Sequence, residues 1–267
     1  MKIGYLQFKP EFADPESNIL QISKSLKCKE FDLIVLPELA NSGYFFSSFD
    51  ELKKASETIP DGPFCTSLKK ISFEKKGYIV SGICEREGNI YYNSSVLVFP
   101  DGKIVVYRKI QLFMEEKHWF KPGNIPLQTY DIEKDNLPKA RIGMMICFDW
   151  IFPEVARTLA LKGAQVLCHP ANLVMPYCQD AMVTRAVENR VFTITCNRIG
   201  SEFSKGRELC FTGMSEIVDP RGTILYRGSK DEEECVILDI NPAEALDKNI
   251  NRMNNLFEDR REDYYFK

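Results

Sequence analysis

The chain repeats itself, and that repetition constrains its fold more than any other feature. Two turn-forming stretches, Pro100-Asp101-Gly102 and Asp219-Pro220-Arg221-Gly222, follow the strand-like runs Ser94 to Phe99 and Ser215 to Val218. Each is followed by a strand ending in Tyr-Arg, at Tyr107-Arg108 and Tyr226-Arg227. Upstream of the hairpins the correspondence continues. Gly77-Tyr-Ile-Val-Ser-Gly matches Val191-Phe-Thr-Ile-Thr-Cys, Leu33-Ile-Val-Leu-Pro matches Gln165-Val-Leu-Cys-His-Pro, and Ile3-Gly-Tyr-Leu matches Ile142-Gly-Met-Met. The chain is thus expected to fold as two similar halves.

Short β-branched runs predict strands over Ile3 to Phe8, Leu33 to Pro37, Tyr78 to Cys84, Ser94 to Phe99, Ile104 to Tyr107, Ile142 to Cys147, Val166 to His169, Phe192 to Asn197, Ser215 to Val218 and Cys235 to Ile240. Helical segments are expected between them at Ser17 to Cys28, Cys65 to Lys76, Pro153 to Lys162 and Asp180 to Asn189. This alternation belongs to the α/β class, and two such repeats suggest two sheets face to face with helices covering their outer sides. No Gly/Ser-rich or Pro-rich linker separates the halves, and Asp131 to Pro138 reads as a polar surface loop, so residues 1–267 are expected to form one domain. The charged, aromatic tail from Asn249 to Lys267 ends in Tyr264-Tyr265-Phe266, which favours docking on the body or on a partner subunit.

A net charge of -3 with scattered Lys and Arg argues against nucleic acid as a partner. The N-terminus runs directly into a strand pattern, and no stretch is apolar enough to cross a membrane, so the cytoplasm is the expected compartment. Nine cysteines, an odd number with no C-x-x-C pair, make a disulfide framework improbable, and His118 and His169 do not stand at zinc-ligand spacing from cysteine pairs. Most of these thiols read as small buried hydrophobes.

One cysteine has a different context. Cys147 ends the run Ile142-Gly-Met-Met-Ile-Cys and precedes Phe148-Asp149-Trp150, with a helix opening at Pro153-Glu154. Such a strand-to-helix elbow projects a nucleophile from the carboxyl end of a sheet, where following N–H groups can receive charge on a substrate oxygen. Glu38 follows another apolar run, in Leu36-Pro37-Glu38-Leu39-Ala40-Asn41-Ser42-Gly43-Tyr44, and a carboxylate there either reaches water or has work to do. Lys109 follows the first hairpin, in Tyr107-Arg108-Lys109-Ile110-Gln111. Singly, each reads most simply as a buried thiol, a loop carboxylate and a surface lysine; together they are specific.

With these three motifs in this order, the chain resembles the nitrilase superfamily. The resemblance extends through Phe120-Lys121-Pro122-Gly123, Arg185-Ala186-Val187-Glu188-Asn189-Arg190, Asn197-Arg198-Ile199-Gly200 and Phe211-Thr212-Gly213-Met214-Ser215, nearly the whole chain. It implies a four-layer α-β-β-α sandwich with an internal pseudo-two-fold repeat and a Glu-Lys-Cys triad at Glu38, Lys109 and Cys147. It also implies a second glutamate six residues before Pro122, at Glu116, with Glu115 adjoining. Phe148, Asn172 and Tyr44 are the remaining candidates, for substrate binding or the oxyanion.

The resemblance implies thioester chemistry without metal or organic cofactor, a small-molecule substrate, and pairing as a homodimer or larger homo-oligomer. Many nitrilases follow the nucleophile with Trp-Glu, whereas Phe148-Asp149 follows Cys147 here. The expected activity is hydrolysis of a small amide or carbamoyl compound with release of ammonia. The alternatives are a nitrilase of small aliphatic nitriles, acyl transfer to an amine, and a catalytically silent binding protein on the same fold. A Cys-His hydrolase is disfavoured, because neither His118 nor His169 has an evident orienting partner.

Overall fold

In the computed structural model, which describes residues 1–133 and 139–265, the chain builds two six-stranded sheets of the same design. In the first, β1 (Lys2–Gln7), β2 (Leu33–Val35), β3 (Tyr78–Glu87), β4 (Ile90–Val98) and β5 (Ile104–Arg108) lie in chain order. In the second, β7 (Ala140–Met144), β8 (Val166–Pro170), β9 (Phe192–Cys196), β12 (Glu216–Val218) and β13 (Ile224–Arg227) repeat that order. The outer edge of β1 is covered by β14 (Glu234–Asp239), and that of β7 by β6 (Thr129–Ile132). A separate hairpin, β10 (Ser201–Ser204) and β11 (Arg207–Cys210), stands apart from both sheets.

Pairing is parallel across β1, β2 and β3, and equally across β7, β8 and β9; every other pair is antiparallel. The registers agree as well. Leu33 pairs with Ile3 and Tyr78 in one sheet, and Val166 with Ile142 and Phe192 in the other, the same residues that match in sequence.

Side chains alternate across a strand, so each sheet has two apolar faces to bury. Ile3, Tyr5, Leu33, Val35 and Val80 share one core with Ile142, Met144, Val166, Cys168 and Ile194 of the facing sheet. On the outer side of the first sheet, Leu6, Phe8, Ile34 and Ile79 meet Ile22 and Leu26 of α1 (Pro15–Leu26) and Phe64, Leu68 and Ile71 of α3 (Pro63–Lys75). On the second sheet, α5 (Pro153–Leu161) and α6 (Cys178–Asn189) take the equivalent place, with Leu159 against Gly143. The result is the expected α-β-β-α sandwich.

Helix boundaries follow local chemistry. Asp14 caps α1 by accepting from the Ser17 N–H at 3.1 Å, and α1, α3 and α5 each carry proline in the first turn. The sequence reading missed α2 (Phe49–Ala55), α4 (Glu116–Trp119) and the β10–β11 hairpin, which are short and lack an apolar period.

Two details differ from expectation. The strand leading to the cysteine stops at Met144, and Cys147 instead opens a 3-10 turn over Cys147–Ile151. Asp131 and Ile132 belong to β6 and not to a surface loop, because Ile132 is buried and Asp131 pairs with Arg141; positions 134 to 138 of that stretch lie outside the described residues. Near the C-terminus, Arg157 and Lys248 lie over the half-buried Phe257 ring, while Tyr264 and Tyr265 are exposed; Phe266 and Lys267 fall outside the described residues. Among the described residues no helix is long and apolar enough to cross a membrane, and no cluster of three or more His, Cys, Asp or Glu is placed to hold a metal ion.

Candidate active site

Strand ends from both halves converge on one corner of the sandwich. Glu38 lies three residues beyond β2, followed by Leu39 with φ of 49°. Its backbone can sit there only because β3 offers Gly82 beneath it: a Cβ on Gly82 would lie 2.3 Å from the Glu38 Cα. Lys109 follows β5 directly and is fixed by its own N–H to the Asn93 carbonyl at 2.8 Å and by the Gly123 N–H on its carbonyl at 2.8 Å. The Phe120-Lys121-Pro122-Gly123 motif thereby acquires a reason, since a Cβ on Gly123 would collide with the Arg108 carbonyl at 2.0 Å.

Lys109 is fully buried between two carboxylates. Its Nζ donates to Glu38 Oε1 and to Glu116 Oε1, each at 2.7 Å. Glu38 Oε1 also accepts from Asn93 Nδ2 at 2.7 Å, which leaves Glu38 Oε2 buried and without a partner. Glu116 Oε1 accepts from the Tyr44 hydroxyl at 2.9 Å and Oε2 from the Phe113 N–H at 3.1 Å. Of the two adjacent glutamates, Glu116 thus faces Lys109, whereas Glu115 points outward and pairs with Arg207 at 2.5 Å.

Burial opposes the charge on Lys109, but Glu116 and Glu38 overcome it and hold the ammonium well above the ordinary lysine range. Glu116 moves the other way from full ionisation. Burial, aided by the like charge of Glu38, raises it to about 7 against the pull of Lys109 and the Phe113 N–H. Tyr44 is pushed up by burial and by both carboxylates, so its hydroxyl keeps the proton that it donates to Glu116.

Cys147 adopts φ of 39°, a left-handed conformation that costs a residue with a Cβ about 1–3 kcal/mol and turns its side chain out of the strand path. Two groups hold the bend. Asp149 Oδ2 accepts from the Ile146 N–H at 2.8 Å and from the Tyr107 hydroxyl at 2.7 Å. His169 Nε2 lies 2.9 Å from the Cys147 carbonyl. Burial lowers the imidazole to about 4, so it is neutral, and its partner being a carbonyl assigns the proton to Nε2. Burial followed by Glu38 drives the Cys147 thiol well up; Lys109 and the Asn172 N–H pull it partly back. The resting group is a thiol.

Two pockets share Phe113 as a wall. One is lined by Cys147, Phe148, Trp150, Asn172, Leu173, Val174 and Met175. The other is lined by Tyr44 and Glu116 together with Phe45, Trp119, Glu115 and Arg207. Both polar atoms of the buried Asn172 side chain lack partners, as suits a group that meets a ligand. Phe148 packs on Phe113 at 5.0 Å and Phe152 at 5.5 Å, while Tyr44 is committed to Glu116.

The carbon-nitrogen hydrolase family model matches residues 2–246. The chain belongs to this family. A nitrilase of Pyrococcus abyssi (strain GE5 / Orsay) is 43% identical over the full length of both chains. A 2-oxoglutaramate amidase of Bacillus subtilis (strain 168) is 32% identical over 98% of each. Among solved structures, a carbon-nitrogen hydrolase from Helicobacter pylori G27 superposes with a TM-score of 0.79 at 25% identity, covering 99% of this chain and 96% of that one.

In this carbon-nitrogen hydrolase several supporting residues escape a reading of motifs. Asn93 stands in no motif of the sequence, and the motifs that hold Tyr107 and Asp149, like the context of His169, give no sign of the bonds these residues make here. Arg198, in Asn197-Arg198-Ile199-Gly200, is fully buried against Glu202 and stacks 4.1 Å from the Phe211 ring. Glu202 in turn accepts from the Tyr44 and Phe45 N–H groups at 3.0 and 2.7 Å, fixing the loop that carries Tyr44. The clue was present: a buried arginine requires a nearby carboxylate, and Glu202 is four residues on.

Proposed function

We propose that the protein hydrolyses the carbon-nitrogen bond of a small amide or carbamoyl compound through a Cys147 thioester. The observation that carries this is the fully buried Lys109, held at 2.7 Å by both Glu38 and Glu116 beside a left-handed cysteine. A buried ammonium so placed is suited to charge that develops on a substrate oxygen.

Glu38 Oε2 takes the thiol proton as Cys147 sulfur bonds to the carbonyl carbon, and the oxyanion meets Lys109 and the Phe148 N–H. As the carbon-nitrogen bond breaks, the proton held by Glu38 passes to the departing nitrogen and ammonia leaves. Water then gives a proton to Glu38 and its oxygen to the thioester carbon, releasing the acid and restoring the thiol. Glu116, held by Tyr44, keeps Lys109 in position throughout. The 43% identity to a nitrilase favours a second reading with the same residues: the sulfur adds to a nitrile carbon while Glu38 passes the thiol proton to the nitrogen, water adds to the thioimidate and ammonia leaves to give the same thioester, and a second water frees the acid and the thiol.

Ammonia release from short aliphatic amides, carbamoyl amines, ω-amido acids and nitriles, compared between wild type and Cys147→Ala, tests the proposal. Release from amides by wild type alone is expected. Release from nitriles only would select the second reading. Equal release by the variant would remove Cys147 as nucleophile.

A further inference from the structure

The residues that line the two pockets carry little charge. Beside Phe113 the nucleophile's pocket is walled by Phe148, Trp150, Leu173, Val174 and Met175, with the neutral Asn172 its main polar side chain. In the neighbouring pocket the charged side chains are Glu116, which Lys109 already engages, and the facing pair Glu115 and Arg207. Arg207 Nη2 donates to Glu115 Oε1 at 2.5 Å, while its guanidinium lies 5.2 Å from the Phe45 ring centroid. Lys205, at the tip of the β10–β11 hairpin, sits 5.7 Å from the Trp119 ring and lines neither pocket.

We infer that the Glu115–Arg207 pair sets substrate charge, neutralising the pocket that adjoins the Cys147 pocket across Phe113, so that the part of the substrate beyond the scissile carbon is small, apolar and uncharged. This rests on the reading of the cleft as the site of acyl transfer to Cys147. A substrate carboxylate entering here finds the Arg207 charge already offset by Glu115, which repels it; an ammonium finds the Glu115 charge offset by Arg207, which repels it. In neither case does a buried counter-ion wait in the apolar pocket, and an ion moved from water into such walls without a partner is strongly disfavoured. Arg207 is 55% and Glu115 39% exposed, so their mutual attraction is modest and either can be released by removing the other. The pair spans from α4 to the β10–β11 hairpin, which carries no part of the proposed triad, so charge selection is separable from the chemistry.

Three amides of equal length, ending in methyl, carboxylate or ammonium, are compared in wild type, Glu115→Gln and Arg207→Gln. The readout is the ratio of each charged substrate's kcat/KM to that of the methyl compound. Wild type should favour the methyl compound about tenfold or more over either ion. Glu115→Gln should raise the carboxylate ratio about tenfold, Arg207→Gln should raise the ammonium ratio about tenfold, and both gains should shrink in high salt. A readout independent of turnover uses iodoacetamides bearing the same three ends, with the rate of Cys147 alkylation followed by mass spectrometry; the same ordering is expected. Failure to hydrolyse any amide, with the labelling order intact, would overturn the proposed activity and support charge selection. Labelling and turnover ratios that do not move in either variant, or a wild type that prefers an ionic end, would overturn charge selection alone.

Discussion

The two halves have one architecture and two very different corners. Counted from the matched rungs Ile3–Leu33–Tyr78 and Ile142–Val166–Phe192, Glu38 corresponds to Ala171 and Cys147 to Phe8. Lys109, after Tyr107-Arg108, corresponds to Gly228 after Tyr226-Arg227. One corner of the sandwich thus combines a carboxylate and an ammonium from the first half with a thiol from the second. At the other corner Phe8 is buried in the core under α1, and a Cβ on Gly228 would meet Glu234 Oε1 at 1.8 Å. Repetition accounts for the frame, and asymmetric substitution at three matched positions accounts for a site at one corner and not the other. The hairpin arginines show what both halves retain: Arg108 pairs with the buried Glu85, and Arg227 with the buried Glu216.

The most forceful way to break this comparison is to remove one cation from each half. Lys109→Met strands Glu38 and Glu116 in the interior, so it should lower kcat/KM by at least about 10³ and destabilise by about 3–5 kcal/mol. Arg227→Met removes a partner that is itself 30% exposed, and should cost only about 1–3 kcal/mol while kcat/KM stays within about twofold. Urea unfolding and steady-state kinetics on both variants measure this. Comparable losses of activity would mean that the corners are not functionally distinct.

A subtler contrast sits beneath Glu38. Gly82 in β3 corresponds to Cys196 in β9, and only the first must let a chain cross close above it. Gly82→Ala should displace Glu38, lowering kcat/KM about 10²-fold and stability by about 1–3 kcal/mol. Cys196→Ala, which trims a buried side chain in the matching place, should cost about 1 kcal/mol and leave turnover intact. If the Gly82 variant turns over normally, the close approach does not position the base.

How much of this was legible depends on range along the chain. Strands such as β1, β2 and β8 declare themselves by local apolar runs, and matched hairpins reveal the repeat because each turn needs its own residues. The motifs of Glu38, Lys109 and Cys147 are also local, so their order could be read. What pairs with them could not: Asn93 reaches Glu38 across 55 positions and Glu202 reaches the Tyr44 loop across 158. The elbow at Cys147 could be read, but its left-handed φ could not, since that is held by Tyr107 and His169 arriving from other strands. Glu115 and Glu116 look alike in sequence, and only the start of α4 turns one inward and leaves the other on Arg207.

Acidity offers the finest discrimination between the halves, because each buries a glutamate raised by burial to about 7: Glu116 beside Lys109 and Glu216 beside Arg227. Glu116 must be ionised to hold Lys109, so wild-type kcat/KM should fall as pH drops through about 7. Glu216→Gln should leave that acid limb in place. Stability should behave in the opposite sense. The folded state holds the Glu216 proton up to about 7 while the unfolded chain loses it near 4.5, so between these values the folded state binds more protons and wild-type stability falls as pH rises. The penalty, about 3 kcal/mol, is fully developed above pH 7 and absent below 4.5. Glu216→Gln cannot incur it. Measured by urea unfolding, the stability of this variant relative to wild type should therefore climb between pH 4.5 and 7 and then level off. A kinetic limb that shifts in Glu216→Gln would show that the second half's carboxylate communicates with the site; a stability difference flat in pH would mean that Arg227 keeps Glu216 ionised throughout.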